Sequence, residues 1–96
     1  MKEIHALVSG RVQGVCFRYY TRQTGRQLGV RGWVRNRTDG RVEVVASGPE
    51  DAMDAFERWL STGPPMARVS NVEIISRERP VSQIGFEIIG DDDDPA

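Results

Sequence analysis

Between Ser9 and Arg18 the chain reads SGRVQGVCFR, with two glycines, a lone cysteine and two arginines in ten residues. These are residue types suited to holding an oxyanion. A connection that runs straight into a helix presents backbone N–H groups with no acceptor inside the helix. The helix dipole adds partial positive charge at the same place. Gly14 lets the backbone curl toward a ligand with no Cβ in the way, and successive N–H groups can then converge on an anion. Arg18 falls about one residue into the helix, where its planar guanidinium can grip two phosphate oxygens. The competing reading is plain: glycine-containing turns between strand and helix are common, and a first-turn arginine usually faces water. Taken alone, the loop favours the ordinary connection. It carries neither the G-x-x-x-x-G-K-[ST] spacing of a nucleotide loop nor a dinucleotide G-x-G-x-x-G.

Other chemistry is thinly represented. In phosphatases with a cysteine nucleophile, five residues separate the thiolate from its loop arginine, whereas one residue separates Cys16 from Arg18. A thiol near a helix N-terminus can be activated, but the reading preferred for Cys16 is a small packing residue. His5 is the only histidine, and it reads as a sheet-surface residue rather than a base. No Ser-His-Asp set is present, and no group of His, Cys or acids has metal-ligand spacing, so neither metal nor cofactor is expected. Asn36 is out of place at the end of a strand pattern. Its amide can orient a water through one donor and one acceptor, or it can open the turn that follows; spacing alone favours the turn. Thr38 has the same two readings, a turn residue or a hydroxyl beside a ligand.

The elements that must position these residues follow from periodicity. Ile4, Ala6 and Val8 alternate with His5, Leu7 and Ser9 as a first strand, which the Gly10 to Gly14 segment interrupts. From Phe17, residues Tyr20, Thr21, Thr24 and Leu28 recur at helical spacing, and Gly29 is placed to stop the helix in a left-handed conformation. Tyr19 and Tyr20 are adjacent, so one of them should face the core. Val30, Gly32, Val34 and Asn36 form a second strand. Asp39-Gly40 predicts a type I′ hairpin turn, with Val42, Val44 and Ala46 returning. Pro49 suits the first turn of a second helix, whose apolar stripe is Ala52, Met53, Phe56, Trp59 and Leu60. Gly63-Pro64-Pro65 ends it. Val69, Val72, Ile74 and Ile75 give a fourth strand of irregular alternation, bounded by Pro80, and Ile84, Phe86 and Ile88 a short last one. The order is β-α-β-β-α-β plus a terminal strand. It predicts an α+β ferredoxin-like sandwich, an antiparallel sheet with two helices on one face. That fold hosts many functions and decides none.

Length and composition set the limits. The 96 residues, 39% hydrophobic, fit one small domain able to bury a single core. Residues 1–90 are expected to form it, with 91–96 an acidic, disordered tail. A net charge of -1 leaves no general basic footprint for nucleic acid. The arginines at 31, 35 and 37 read as a solvated sheet face. No apolar run is long enough to cross a bilayer. One cysteine excludes an intrachain disulfide, and the N-terminus has no signal-peptide pattern. A cytoplasmic monomer is the expectation.

With these residues in place, GRVQGVCFR followed by GWVRN resembles the signature of the acylphosphatase family. SGPEDAMDAFERWL resembles the family's second helix. The likeness runs from about Lys2 to Ile89. It implies hydrolysis of the carboxyl-phosphate bond of acyl phosphates to a carboxylate and inorganic phosphate, without metal, on small-molecule substrates. It also implies roles. Arg18 and the loop Val12, Gln13, Gly14, Val15, Cys16 and Phe17 would bind the phosphoryl group, and Asn36 would position the attacking water. Gly90 stands where the family's final strand commonly has Tyr. Two other classes compete with this one. A non-catalytic ferredoxin-like anion-binding or regulatory module is opposed by the presence of both Arg18 and Asn36. An RNA-binding reading of RGWVRN is opposed by the single aromatic, Trp33, where base stacking needs several.

Overall fold

The computed structural model describes residues 1–78 and 81–90. Pro80 and the run Asp91 to Asp94 lie outside the described residues. The elements are β1 (Lys2–Arg11), α1 (Phe17–Leu28), β2 (Arg31–Asn36), β3 (Val42–Gly48), α2 (Glu50–Thr62), β4 (Arg68–Ser76) and β5 (Phe86–Ile88). They build one five-stranded sheet of order β4-β1-β3-β2-β5. The first four strands pair antiparallel, as the ferredoxin-like order predicts. The terminal strand adds to β2 in parallel, with Gly32 opposite Phe86 and Val34 opposite Ile88.

The period of two in the strands decides which face is covered. Ile4, Ala6 and Val8, Val34, and Val42, Val44 and Ala46 all point to one side. There they form the core with Phe17 of α1 and with Met53, Phe56 and Leu60 of α2. Each large side chain fully withdrawn from water contributes about 1.5–3 kcal/mol, so this layer dominates the stability of the fold. The opposite face is polar at its margins, but Leu7, Trp33, Glu43, Val45 and Ser47 are buried there as well. Arg35 lies over the Trp33 ring at 5.3 Å.

Several local readings need correction. β1 continues through Gly10 to Arg11, because both residues still pair with β4. The irregularity expected in β4 is real and has a cause: its register against β1 shifts twice. The Asp39-Gly40 turn is not type I′, since Asp39 has no positive φ. Gly40 N–H instead donates to Arg37 O at 3.2 Å, and Arg37 N–H to Arg41 O at 2.9 Å. That is a three-residue loop with glycine in the left-handed position. Ile84 lies ahead of β5 and is 97% exposed. Neither Tyr19 nor Tyr20 enters the core; the buried stripe of α1 is Phe17, Thr21 and Gly25. Gly29 does cap α1 in the left-handed region.

Candidate functional site

The site is assembled where the loop after β1 meets the start of α1 and the end of β2. Val12, Val15 and Phe17 are buried, so three side chains of the loop plug into the core and hold the backbone between them at the surface. Gln13 fixes the loop from the other side. Its Nε2 donates to Arg37 O at 2.8 Å and to Arg41 O at 2.9 Å, tying the loop to the β2–β3 hairpin. Gly14 takes φ 77°, and Cys16, the N-cap of α1, takes φ 61°. A left-handed conformation is costly for a residue with a Cβ. Here it turns the chain sharply into the helix.

The first backbone bond of α1 is from Tyr20 N–H to Cys16 O at 3.1 Å. The N–H groups of Phe17, Arg18 and Tyr19 come before it, and no side chain caps this end. A helix whose first donors have no acceptor within the helix and no side-chain cap is suited to an anion.

Beside this helix end lies a cavity of ≈ 160 Å³ lined by Val12, Gly14, Cys16, Phe17, Arg18, Tyr19, Asn36 and Ile88. It is smaller than the ~300–1,000 Å³ of a typical small-molecule pocket, so it suits a group of few atoms. β2 delivers Asn36 into the lining, and its Oδ1 is buried with no donor among the described residues. A buried acceptor left without a donor costs about 1–3 kcal/mol, and such an atom marks a place where a water or ligand belongs.

Of the residues singled out from the sequence, the cavity gathers Val12, Gly14, Cys16, Phe17, Arg18 and Asn36. Gln13 and Val15 hold the loop without lining the cavity, and Thr38 sits exposed in the hairpin turn. Cys16 is exposed rather than packed, because its left-handed backbone carries its side chain outward. Tyr19 and Ile88 are additions. Tyr19 could have been found from helix phase, since Phe17, Thr21 and Gly25 at steps of four already fill the inner stripe. Ile88 reaches the site only because β5 pairs beside β2, which no local pattern predicts.

A larger cleft of ≈ 410 Å³ lies among Met1, Lys2, Glu3, Glu50, Asp54 and Arg77. Lys2 there pairs with Asp54 at 2.6 Å and with the neighbouring Glu57 at 3.4 Å. The hydrogen bond to Asp54 holds the Lys2 ammonium above its ordinary pKa. Among the described residues no three His, Cys, Asp or Glu side chains are grouped to hold a metal ion, and no helix is long and apolar enough to cross a membrane.

Fold and cavity together define a ferredoxin-like α+β protein with a small anion-suited pocket at the start of its first helix. Comparison with known proteins narrows this class. The Acylphosphatase family model matches residues 4–88. The acylphosphatase of Rubrobacter xylanophilus is 49% identical over 87 residues, covering 91% of this chain and 79% of that protein. That of Haloquadratum walsbyi is 52% identical over 84 residues, covering 88% and 89%. The crystal structure of acylphosphatase from Bacillus subtilis superposes with a TM-score of 0.86 at 37% identity, over 93% of this chain and 99% of that one. The chain belongs to the acylphosphatase family.

Proposed function

We propose that this chain hydrolyses small acyl phosphates by direct attack of water on phosphorus, with Arg18 and the amides of the Val12–Phe17 loop holding the phosphoryl group and Asn36 orienting the water. The observation that carries this reading is the buried, undonated Oδ1 of Asn36 in the same small cavity as Arg18.

The chemistry asks little more of the protein. The oxygen of water bonds to phosphorus as the bridging P–O bond breaks, and that bond's electron pair leaves with the carboxylate. The water's protons end on the phosphate product and in solvent. A carboxylate is a good leaving group, so no strong general acid is needed. Positioning and charge stabilisation supply the acceleration. The side-chain oxygen of Asn36 accepts a hydrogen bond from the water and fixes its approach. The fork of Arg18 and the amides at the start of α1 face the charge that builds on the equatorial phosphoryl oxygens.

The test is hydrolysis of benzoyl phosphate by the purified chain in ¹⁸O-labelled water with chelator present. Label in inorganic phosphate and none in benzoate, with turnover lost in Arg18→Ala, is the expected result. Label in benzoate would place the attack on carbon and overturn the proposal. Turnover surviving in Arg18→Ala would remove Arg18 from the site.

A further inference from the structure

Every charged residue of α1 is an arginine: Arg18, Arg22 and Arg26. In α2 the acids Glu50, Asp51, Asp54 and Glu57 face a single Arg58. In a chain of net charge -1, this concentrates positive potential on one helix, the one that opens at the candidate site. The spacing i, i+4, i+8 puts the three guanidinium groups in one stripe. Each is roughly 6 Å further along the axis than the last, at about 1.5 Å per residue.

A second, open depression of ≈ 400 Å³ on the helix surface runs beside that stripe and is lined by Tyr19, Arg22, Gln23, Arg26 and Gln27. Tyr19 lines both cavities. It is 48% exposed, so it forms an open rim between them rather than a closed wall. The Arg22 guanidinium stacks over the Tyr19 ring at 5.6 Å, which holds its charge at the shared edge. Arg26 is fixed further out by its Nε donating to Phe86 O at 3.1 Å. The smaller cavity has room for little beyond a phosphoryl group, so the acyl half of a substrate must leave it across an open edge.

We infer that the Tyr19–Arg22–Arg26 face of α1 is the subsite for the acyl half of the substrate, and that it selects acyl phosphates carrying a second anionic group on that half. The inference rests on the placement of the phosphoryl group at Arg18 proposed above. The Tyr19 ring offers an apolar edge to the carbon skeleton. The Arg22 guanidinium, one helical turn beyond Arg18, meets a carboxylate or phosphate ester a few atoms away from the anhydride.

The experiment compares 4-carboxybenzoyl phosphate with benzoyl phosphate, which differ by that one charge. The readout is the ratio of their kcat/KM values. Any general effect on the phosphoryl site cancels in the ratio, as does the intrinsic reactivity of each substrate when variants are compared. Arg22→Gln is expected to lower the ratio roughly threefold, within the range for a solvent-exposed charge contact, and Arg22→Glu roughly tenfold, because reversal adds repulsion to the lost attraction. Raising ionic strength from about 0.02 to about 0.5 M should lower the wild-type ratio in the same direction, because screening shortens to a few Å. A ratio unmoved by both Arg22 substitutions, or by salt, overturns the inference. If Arg18→Ala retains full turnover of benzoyl phosphate, it is the phosphate placement that has failed. If Arg18→Ala is dead while the Arg22 ratio stays flat, the subsite alone has failed.

Discussion

At the scale of single residues, the proposed site rests on two side chains whose spacing in the chain says little. Arg18 is visible as a cation at the mouth of a helix, but Asn36 looks like a turn-former until the structure buries its Oδ1 without a donor. Its place at the end of a strand pattern made it a candidate, but the resemblance to a family, not periodicity, gave it a role. An acceptor that lacks a partner in the protein can be removed cheaply. Asn36→Ala is therefore expected to leave Tm within about 3 °C while lowering kcat roughly 100-fold or more, the usual loss when a reacting group is misplaced, with KM for benzoyl phosphate within about twofold. A matching fall in Tm would make Asn36 a structural residue, and an unchanged kcat would end its assigned role. Arg18→Lys separates charge from shape. Lysine keeps the charge but loses the planar fork that grips two oxygens. A fall of roughly 100-fold in kcat/KM is expected, with inorganic phosphate inhibiting more weakly than in wild type. A lysine variant with near-normal kinetics would mean that charge alone suffices.

At the scale of elements, the order and most boundaries were legible because alternation and the 3.6-residue period point the same way in each segment. What local pattern missed is set by contacts between elements. The inner stripe of α1 includes Gly25 rather than a tyrosine, because α1 must seat against β5. A Cβ built at Gly25 would lie 2.5 Å from Phe86 Cδ2 and 2.9 Å from Cγ. Phe86 is fully buried and packs on Phe56 at 5.5 Å between ring centroids, so it has little room to retreat. Two effects of Gly25→Ala oppose each other. Alanine favours the helix by about 1 kcal/mol, while overpacking a filled core costs about 1–3 kcal/mol. The clash is with the body of a ring rather than the end of a flexible chain, so the cost should win. Denaturant unfolding is expected to show a net loss of about 1 kcal/mol, and a gain in stability would show that β5 yields. The parallel addition of β5 beside β2, which brings Ile88 to the cavity, belongs to the same kind of long-range fact and left no mark in the sequence.

At the scale of the molecule, the second face of the sheet is the part that composition misdescribed. The arginines at 35 and 37 read as a solvated surface, yet they converge on Glu43, which is 4% exposed in the middle of that face. Arg35 Nε donates to Glu43 Oε1 at 2.7 Å, Arg37 Nη1 lies 3.6 Å from the same oxygen, and His5 Nε2 lies 2.5 Å from Oε2. The strand register explains the cluster: Arg35 is opposite Glu43 in the β2–β3 pair, and His5 sits two residues, hence on the same face, from Leu7, the residue opposite Glu43 in the β1–β3 pair. Burial pushes the Glu43 carboxyl up, but the hydrogen bonds from His5 and Arg35 outweigh it and hold the group below its ordinary value of 4.5. A carboxyl depressed in the fold stabilises the native state above the unfolded pKa, and that contribution is lost as pH falls through the folded value. Asp39 and Asp54 are also depressed, each chiefly by one hydrogen-bonded partner, Arg41 and Lys2. Both are exposed in water, where such pairs are worth little. Glu43 should therefore dominate the acid limb. Replacing it with Gln at neutral pH leaves Arg35 facing a neutral amide, at an expected cost of about 1–3 kcal/mol. The gap between wild type and Glu43→Gln should narrow as pH falls below about 4.5, because protonation of the wild-type carboxyl abolishes the difference in charge. Urea unfolding across pH 3–7 checks this, and two curves that stay parallel throughout would mean that Glu43 is not what the acid limb reports.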